Sequence, residues 1–346
     1  MQVSDKIESL FNDFNNQYKN LTKNVIDKNC LINDYMQIVT RKDSDNFFQK
    51  YGVGNVIDGH DRPYERQKAY ELLLKILHYF DNDQYNKMHK GTPFFFISWC
   101  SFQYHDFTKS LFYMDASVSE DYKIYDVVNM QICTSSMKFF LLTDEKDVTI
   151  HQELKTLVSN TLVEYNKNKG SNITILDFRA KFISDLLYSE NKKRSLLSAF
   201  YVFLLQYHDI KNQLIHRSKE GGSIQPFLNH LFDGARILES LLELKDAKGN
   251  NLRNKISNKL NGQIDISILR SSQRLSDATR IYKDLINQGK SFQECNYATS
   301  YIIRNTTAHS LLWLDEFTDE SYTILYNCLI NSLIWTIDYL WIQNNN

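Results

Sequence analysis

The sequence predicts a mainly α-helical protein, and three observations carry that expectation. Glycine and proline number only 11 and 3 in 346 residues, about a third of average usage, and these are the residues that punctuate turns and end elements. A β-sandwich or barrel needs a turn signal about every 8–12 residues, and this chain lacks the material. Apolar residues instead recur at helical spacing over long stretches, as in Tyr70, Leu72, Leu73, Ile76, Leu77 and Phe80. No G-x-G-x-x-G or G-x-x-x-x-G-K-[ST] occurs, so the standard Rossmann and Walker nucleotide sites are disfavoured.

Taken in order, residues 4–25 and 62–80 read as amphipathic helices, with Pro63 near the start of the second, where a missing N–H costs least. Between them lies YGVGNVIDGHDRP, read as a connecting loop holding Gly52, Gly54 and Gly59. Residues 93–143 change character: PFFFISWCSF, KIYDVVNMQIC and SMKFFLLT are short β-branched and aromatic runs between polar breaks. They predict strands in a small mixed α/β element. A helix follows at about 148–166, then a short strand NITILDF and a helix to about 189.

The charged run Ser189-Glu190-Asn191-Lys192-Lys193-Arg194 marks the expected boundary between an N-terminal region, 1–190, and a C-terminal domain, 191–346. Beyond it the pattern is helical. Stretches 194–219 and 226–245 are separated by Gly221-Gly222, and 276–288 stops at Gly289. Ser291-x-x-Glu294 is a capping box that opens a helix toward Leu314. Thr318 and Asp319 begin an apolar final helix over about 319–342.

Composition narrows the class. Hydrophobic residues at 42% and aromatics at 13% fit a folded chain. Five scattered cysteines, never spaced as C-x-x-C, argue against a disulfide framework or zinc knuckle and for a reducing compartment. The N-terminus has no apolar signal-peptide core, and the longest uncharged stretch, Ser321 to Ile337, is too short and polar for a confident span. The expectation is a cytoplasmic protein without a membrane partner, cofactor or metal.

The capped helix carries the chemistry. Asn305 and His309 are four residues apart and share a face, while Arg304 projects about 100° round and reaches back with a long side chain. A charged fork suited to phosphate, an amide and an imidazole thus converge within about a turn and a half. They are suited to holding a scissile RNA phosphate and moving the 2′-hydroxyl proton without a metal. The competing account is a core histidine beside a solvated helix arginine.

Here the sequence resembles the HEPN family, whose ribonuclease members carry R-x(4–6)-H with a polar residue, often Asn, after the Arg. The match is Arg304, Asn305 and His309, just before a final long helix; the Asn carries most of its information. The resemblance implies a HEPN-like helical bundle over about 191–346 and metal-independent endoribonuclease action by 2′-OH attack. It also implies a composite site formed when two motifs meet in a homodimer or higher homo-oligomer. Many such proteins are toxins or antiviral (phage defence) effectors. Residues 1–190 carry no such resemblance and are expected to sense a signal, or to bind a protein or small-molecule regulator. The alternative is a non-catalytic HEPN-like module that binds a nucleotide, RNA or protein partner.

Charge agrees with a polyanionic partner. From Lys248 to Lys290 nine basic residues face three acidic ones, in a chain of net charge −1. Arg253, Lys255, Lys259, Arg270, Arg274 and Arg280 are candidate RNA-backbone contacts; the competing account is a solvated face. Lys211-Asn212-Gln213-Leu214-Ile215-His216 repeats the motif's spacing with Lys in place of Arg. It is either a degenerate second motif or a basic helix end that complements the helix dipole before Gly221-Gly222. Two His-Asp dyads, His105-Asp106 and His208-Asp209, lack the further ligands an HD-type phosphohydrolase needs.

Overall fold

The computed structural model describes residues 3–53, 62–124, 134–143, 149–188, 191–216, 223–245, 248–260, 262–270, 272, 274–307 and 318–343. Among these every regular element is helical. Two compact units divide the chain, Met1–Glu153 and Leu154–Asn346.

The N-terminal unit contains α1 (Val3–Thr22), α2 (Lys28–Met36), α3 (Arg41–Tyr51), α4 (Pro63–Phe80), α5 (Asn82–Lys87), α6 (Gly91–Gln103), α7 (Phe107–Tyr122) and α8 (Ser135–Phe140). α4 packs on α1 and α6, and α6 packs along α7. Phe14, Leu31, Tyr35, Phe48, Leu73, Leu77 and Ile97 fill the core. Pro63 sits in the first turn of α4 as expected, and Thr40 and Asp43, not singled out in the sequence, form a capping box on α3.

The expected strands are absent among the described residues. PFFFISWCSF forms most of α6, SMKFF forms α8, and ILDF begins the helix after residue 174. The segment 125–133, part of KIYDVVNMQIC, lies outside the described residues. The physical reason is burial. A helix apolar on nearly every side shows no helical period, and over a short run it looks like a buried strand. Ile97, Trp99, Cys100 and Phe102 of α6 are all buried. Pro93 in its first turn, Thr134 capping α8 and the Thr174–Asp177 capping box mark helix starts in these same segments.

The second unit takes up most of α9 (Thr149–Lys169), then a continuous helical stretch made of α10 (Ile175–Asp177), a π-helical turn (Phe178–Ile183) and α11 (Ser184–Leu187). It continues through α12 (Asn191–Ile215), α13 (Gln225–Leu244), α14 (Leu252–Lys259), α15 (Ser276–Asn287), α16 (Phe292–Thr307) and α17 (Asp319–Ile337), which ends in a second π-helical turn, Asp338–Gln343. The division between units therefore falls within α9, and the charged run at 189–194 lies inside the second unit. Packing explains this. Phe182 meets Phe200 and Trp341 edge-on, Lys181 Nζ donates to the Ile342 carbonyl at 2.9 Å, and the Trp341 indole donates to Asp185 at 2.8 Å. The helices before the charged run bury their apolar faces against those after it.

α13 packs on α12, α16 and α17, and α16 packs on α15 and α17. Gly234 permits the close approach of α12, since a Cβ there would lie 2.6 Å from the Phe203 ring. Ser291 and Glu294 form the expected box at the start of α16, and Gly289 before it adopts φ +70°. Thr318 caps α17 through Ser321.

His230 of α13 sits in this core. Its Nε2 donates to the Phe203 carbonyl at 2.8 Å, and the Tyr322 hydroxyl donates to Nδ1 at 2.7 Å. The rings of Phe203 and Tyr326 stack on it. Burial pushes its pKa down from 6.5 to about 4, so the folded protein holds it neutral. In the unfolded chain it protonates first as pH falls, so its contribution is complete above pH 6.5 and is lost progressively down to about pH 4. At about 1.4 kcal/mol per unit, the expected loss approaches roughly 3 kcal/mol. Urea unfolding at pH 7, 5 and 4 checks this: His230→Gln should flatten the acid limb, and an unchanged slope would refute the assignment.

Candidate functional site

Arg304 lies on α16 and reaches across to α13. Its Nε donates to Glu239 Oε2 at 2.9 Å, and its guanidinium carbon stands 5.2 Å from the centre of the Phe232 ring. Among the described residues neither Nη group has a partner. The arginine is thus oriented through one nitrogen and one ring face, with its fork left over. Its side chain is 26% exposed, so it is neither a free surface cation nor a core group.

Glu239 is shared. Lys255 of α14 donates to its other oxygen, Oε1, at 2.6 Å and also pairs with Glu243. Burial works to raise the Glu239 carboxyl, but hydrogen bonds from Lys255 and Arg304 outweigh it and hold the group below its ordinary range. Burial likewise works to lower Lys255, and its two carboxylates reverse the sign and raise it. Two cations and two carboxylates therefore tie α13, α14 and α16 together.

Asn305 follows Arg304, is partly exposed, and its side chain makes no hydrogen bond among the described residues. Thr306 donates to the Ser272 carbonyl at 3.3 Å, which brings the segment carrying Arg270 and Arg274 to the last turn of α16. His309 lies outside the described residues, which stop at Thr307 and resume at Thr318.

The other candidates separate. Lys255 is a buried ion-pair partner and unavailable to a nucleic acid backbone, a correction to its expected role. Its carboxylates come from α13, outside the basic segment, which is why local charge did not disclose them. Arg280 is exposed and pairs with Asp277 at 2.9 Å. Arg253 is exposed and donates to the Ile266 carbonyl at 3.3 Å. Arg270 and Arg274 are exposed and Lys259 half-buried, with no ion pair among the described residues. The backbone-contact reading therefore narrows to Arg253, Lys259, Arg270, Arg274 and, in competition with Asp277, Arg280.

Lys211, Asn212 and His216 stand at the end of α12. Lys211 approaches Asp319 at 3.9 Å and lies over the Tyr207 ring, whereas Asn212 and His216 are exposed. None of these partners is shared with Arg304. The dyad residue Asp106 is spent on capping α7, where it accepts from the Lys109 amide at 3.1 Å. No cluster of metal-ligating side chains is found among the described residues, and no described helix is long and apolar enough to cross a membrane.

Glu239, Glu243 and Phe232 are the residues that sequence reasoning missed. With Arg236 they line one stripe of α13 at positions i, i+4, i+7 and i+11. An aromatic, a base and two acids along a stripe that otherwise reads as solvated face was the available signal. Only packing against α16 gives it meaning. The site is a helical one in which a partly buried carboxylate orients an arginine. Compared with protein-family models, curated proteins and solved structures, the chain matches none of them.

Proposed function

We propose that the C-terminal unit is a metal-independent endoribonuclease of the HEPN type, acting as a toxin or antiviral effector. The observation that supports this best is the half-buried Arg304, aimed through Nε by Glu239 and across Phe232, with both Nη groups unpartnered among the described residues. A guanidinium so fixed is pre-organised for bidentate contact with a phosphate, because little rotamer freedom remains to be lost on binding. Exposed Arg270 and Arg274 stand on the segment tied to the same helix end and would add salt-dependent attraction for an RNA backbone.

In this reading Arg304 steadies charge on the phosphorane-like transition state, and Asn305 orients the substrate or the imidazole. His309, five residues after Arg304, moves the 2′-hydroxyl proton. The products are a 2′,3′-cyclic phosphate and a 5′-hydroxyl. A homodimer that brings two motifs together belongs to the same proposal.

The purified protein is expected to cleave tRNA or total RNA equally with and without EDTA. Loss of cleavage on chelation, or 3′-hydroxyl products, would refute the mechanism. The ion-pair network favours one second reading, in which Arg304 is a structural tie in a non-catalytic binding module. Under it, Arg304→Ala lowers the melting temperature and no RNA is cut.

A further inference from the structure

We propose that a cleft in the N-terminal unit binds a planar, anionic ligand of mononucleotide size. The cleft, between α4, α5, α6 and α7, has a volume of about 350 Å³, near the lower end of the roughly 300–1,000 Å³ of small-molecule sites. It suits one ring with a short charged tail better than a dinucleotide.

Its walls are aromatic. His78 stands edge-on to Tyr85 with centroids 5.2 Å apart, and Phe94 and Tyr113 form a tilted pair at 5.7 Å. Ring faces of this kind hold a nucleobase by stacking, worth about 1–3 kcal/mol per base. The phenol groups of Tyr85 and Tyr113 make no hydrogen bond among the described residues. Burial, foremost, with Glu120 adding to it, pushes the Tyr85 phenol up to about 12. Burial and then Glu71 raise that of Tyr113. Both stay protonated at neutral pH and offer unused donors to a ligand.

The charge sets the sign of that ligand. Lys75 and Lys109 line the cleft, and Lys6 of α1 lies 3.7 Å over the Tyr79 ring at its edge. The one lining carboxylate, Glu71, is already engaged by Lys109 at 2.6 Å and by Gln67 at 2.8 Å. Lys6 and Lys75 have no ion pair among the described residues, so the cleft keeps an excess of positive charge for an anion such as a 5′-phosphate.

Isothermal titration of the full chain with AMP, GMP, UMP and CMP, and with adenosine, tests this independently of RNA cleavage. At least one 5′-monophosphate is expected to bind below about 1 mM, and AMP more tightly than adenosine. Lys75→Gln, at an exposed side chain outside any ion pair among the described residues, should weaken AMP by about five- to tenfold and leave adenosine unchanged. Tyr113→Phe should weaken AMP by about threefold or more through loss of a donor. The proposal is overturned if no monophosphate binds in that range. Equal affinity for AMP and adenosine, or AMP binding indifferent to both substitutions, would overturn it as well.

Discussion

Arg304→Ala is expected to lower RNA cleavage by about a hundredfold or more while soluble yield and melting temperature change little. The two effects separate because of how the site is built. Glu239 keeps Lys255 at 2.6 Å when the arginine is removed, so the carboxylate is not stranded. The guanidinium is partly exposed, so the lost pair itself is worth about 1 kcal/mol or less. Cleavage, in contrast, would lose its phosphate-holding fork. Arg304→Lys keeps the charge without the planar donor set and should recover only a small part of the activity. His309→Ala should match Arg304→Ala in cleavage. Glu239→Gln should retain an acceptor for Nε while leaving Lys255 with Glu243, and should cost an intermediate amount. Initial rates on one RNA substrate, measured beside thermal unfolding, decide it: undiminished cleavage by Arg304→Ala removes the arginine from the mechanism.

Glu120→Ala should destabilise the N-terminal unit by roughly 3–5 kcal/mol, the range for breaking a buried ion pair from one side. Glu120 of α7 accepts from the Lys90 amide at 3.0 Å and from Lys123 at 2.6 Å, and its Oε2 lies 3.5 Å from Lys90 Nζ. The Glu120 and Lys90 side chains are only 7% and 5% exposed. Burial lowers the Lys90 pKa and outweighs the carboxylate that opposes it. Without Glu120, only the Tyr85 and Met88 carbonyls remain among the described residues to accept from it, at 2.7 and 2.8 Å. The double variant Lys90→Met/Glu120→Leu should regain most of the loss, because no charge is left buried. Urea midpoints for the three proteins test this, and a loss below about 1 kcal/mol for Glu120→Ala would show that Lys90 is solvated in the fold.

Much of the local structure was legible where a residue type has one physical use. Pro63, the Ser291–Glu294 box, Gly289 and Thr318 each stand at the helix end they mark. Phe94-Phe95-Phe96 misled because the apolar run has no period when most sides of a helix are buried, while Pro93 beside it was the better guide. The C-terminal end of the N-terminal unit differs from the expected 190 because Phe178 and Phe182 choose their partners by packing, which a polar run at 189–194 does not reveal. At the candidate site, Arg304 and Asn305 were visible through their spacing to His309, but Lys255 was read as a candidate RNA contact.

The sequence by itself determined that this chain is mainly helical and where several of its helices begin, as at Pro63, Ser291 and Thr318. Those are consequences of backbone and side-chain chemistry acting over a few residues. Tertiary structure alone decided that Glu239 orients Arg304, sixty-five residues away, and that the same carboxylate removes Lys255 from the basic surface. It also decided that aromatics of four helices enclose a cleft in the N-terminal unit. Each of these depends on which faces are buried together, and burial sets both the partner of a charge and the strength of its pairing.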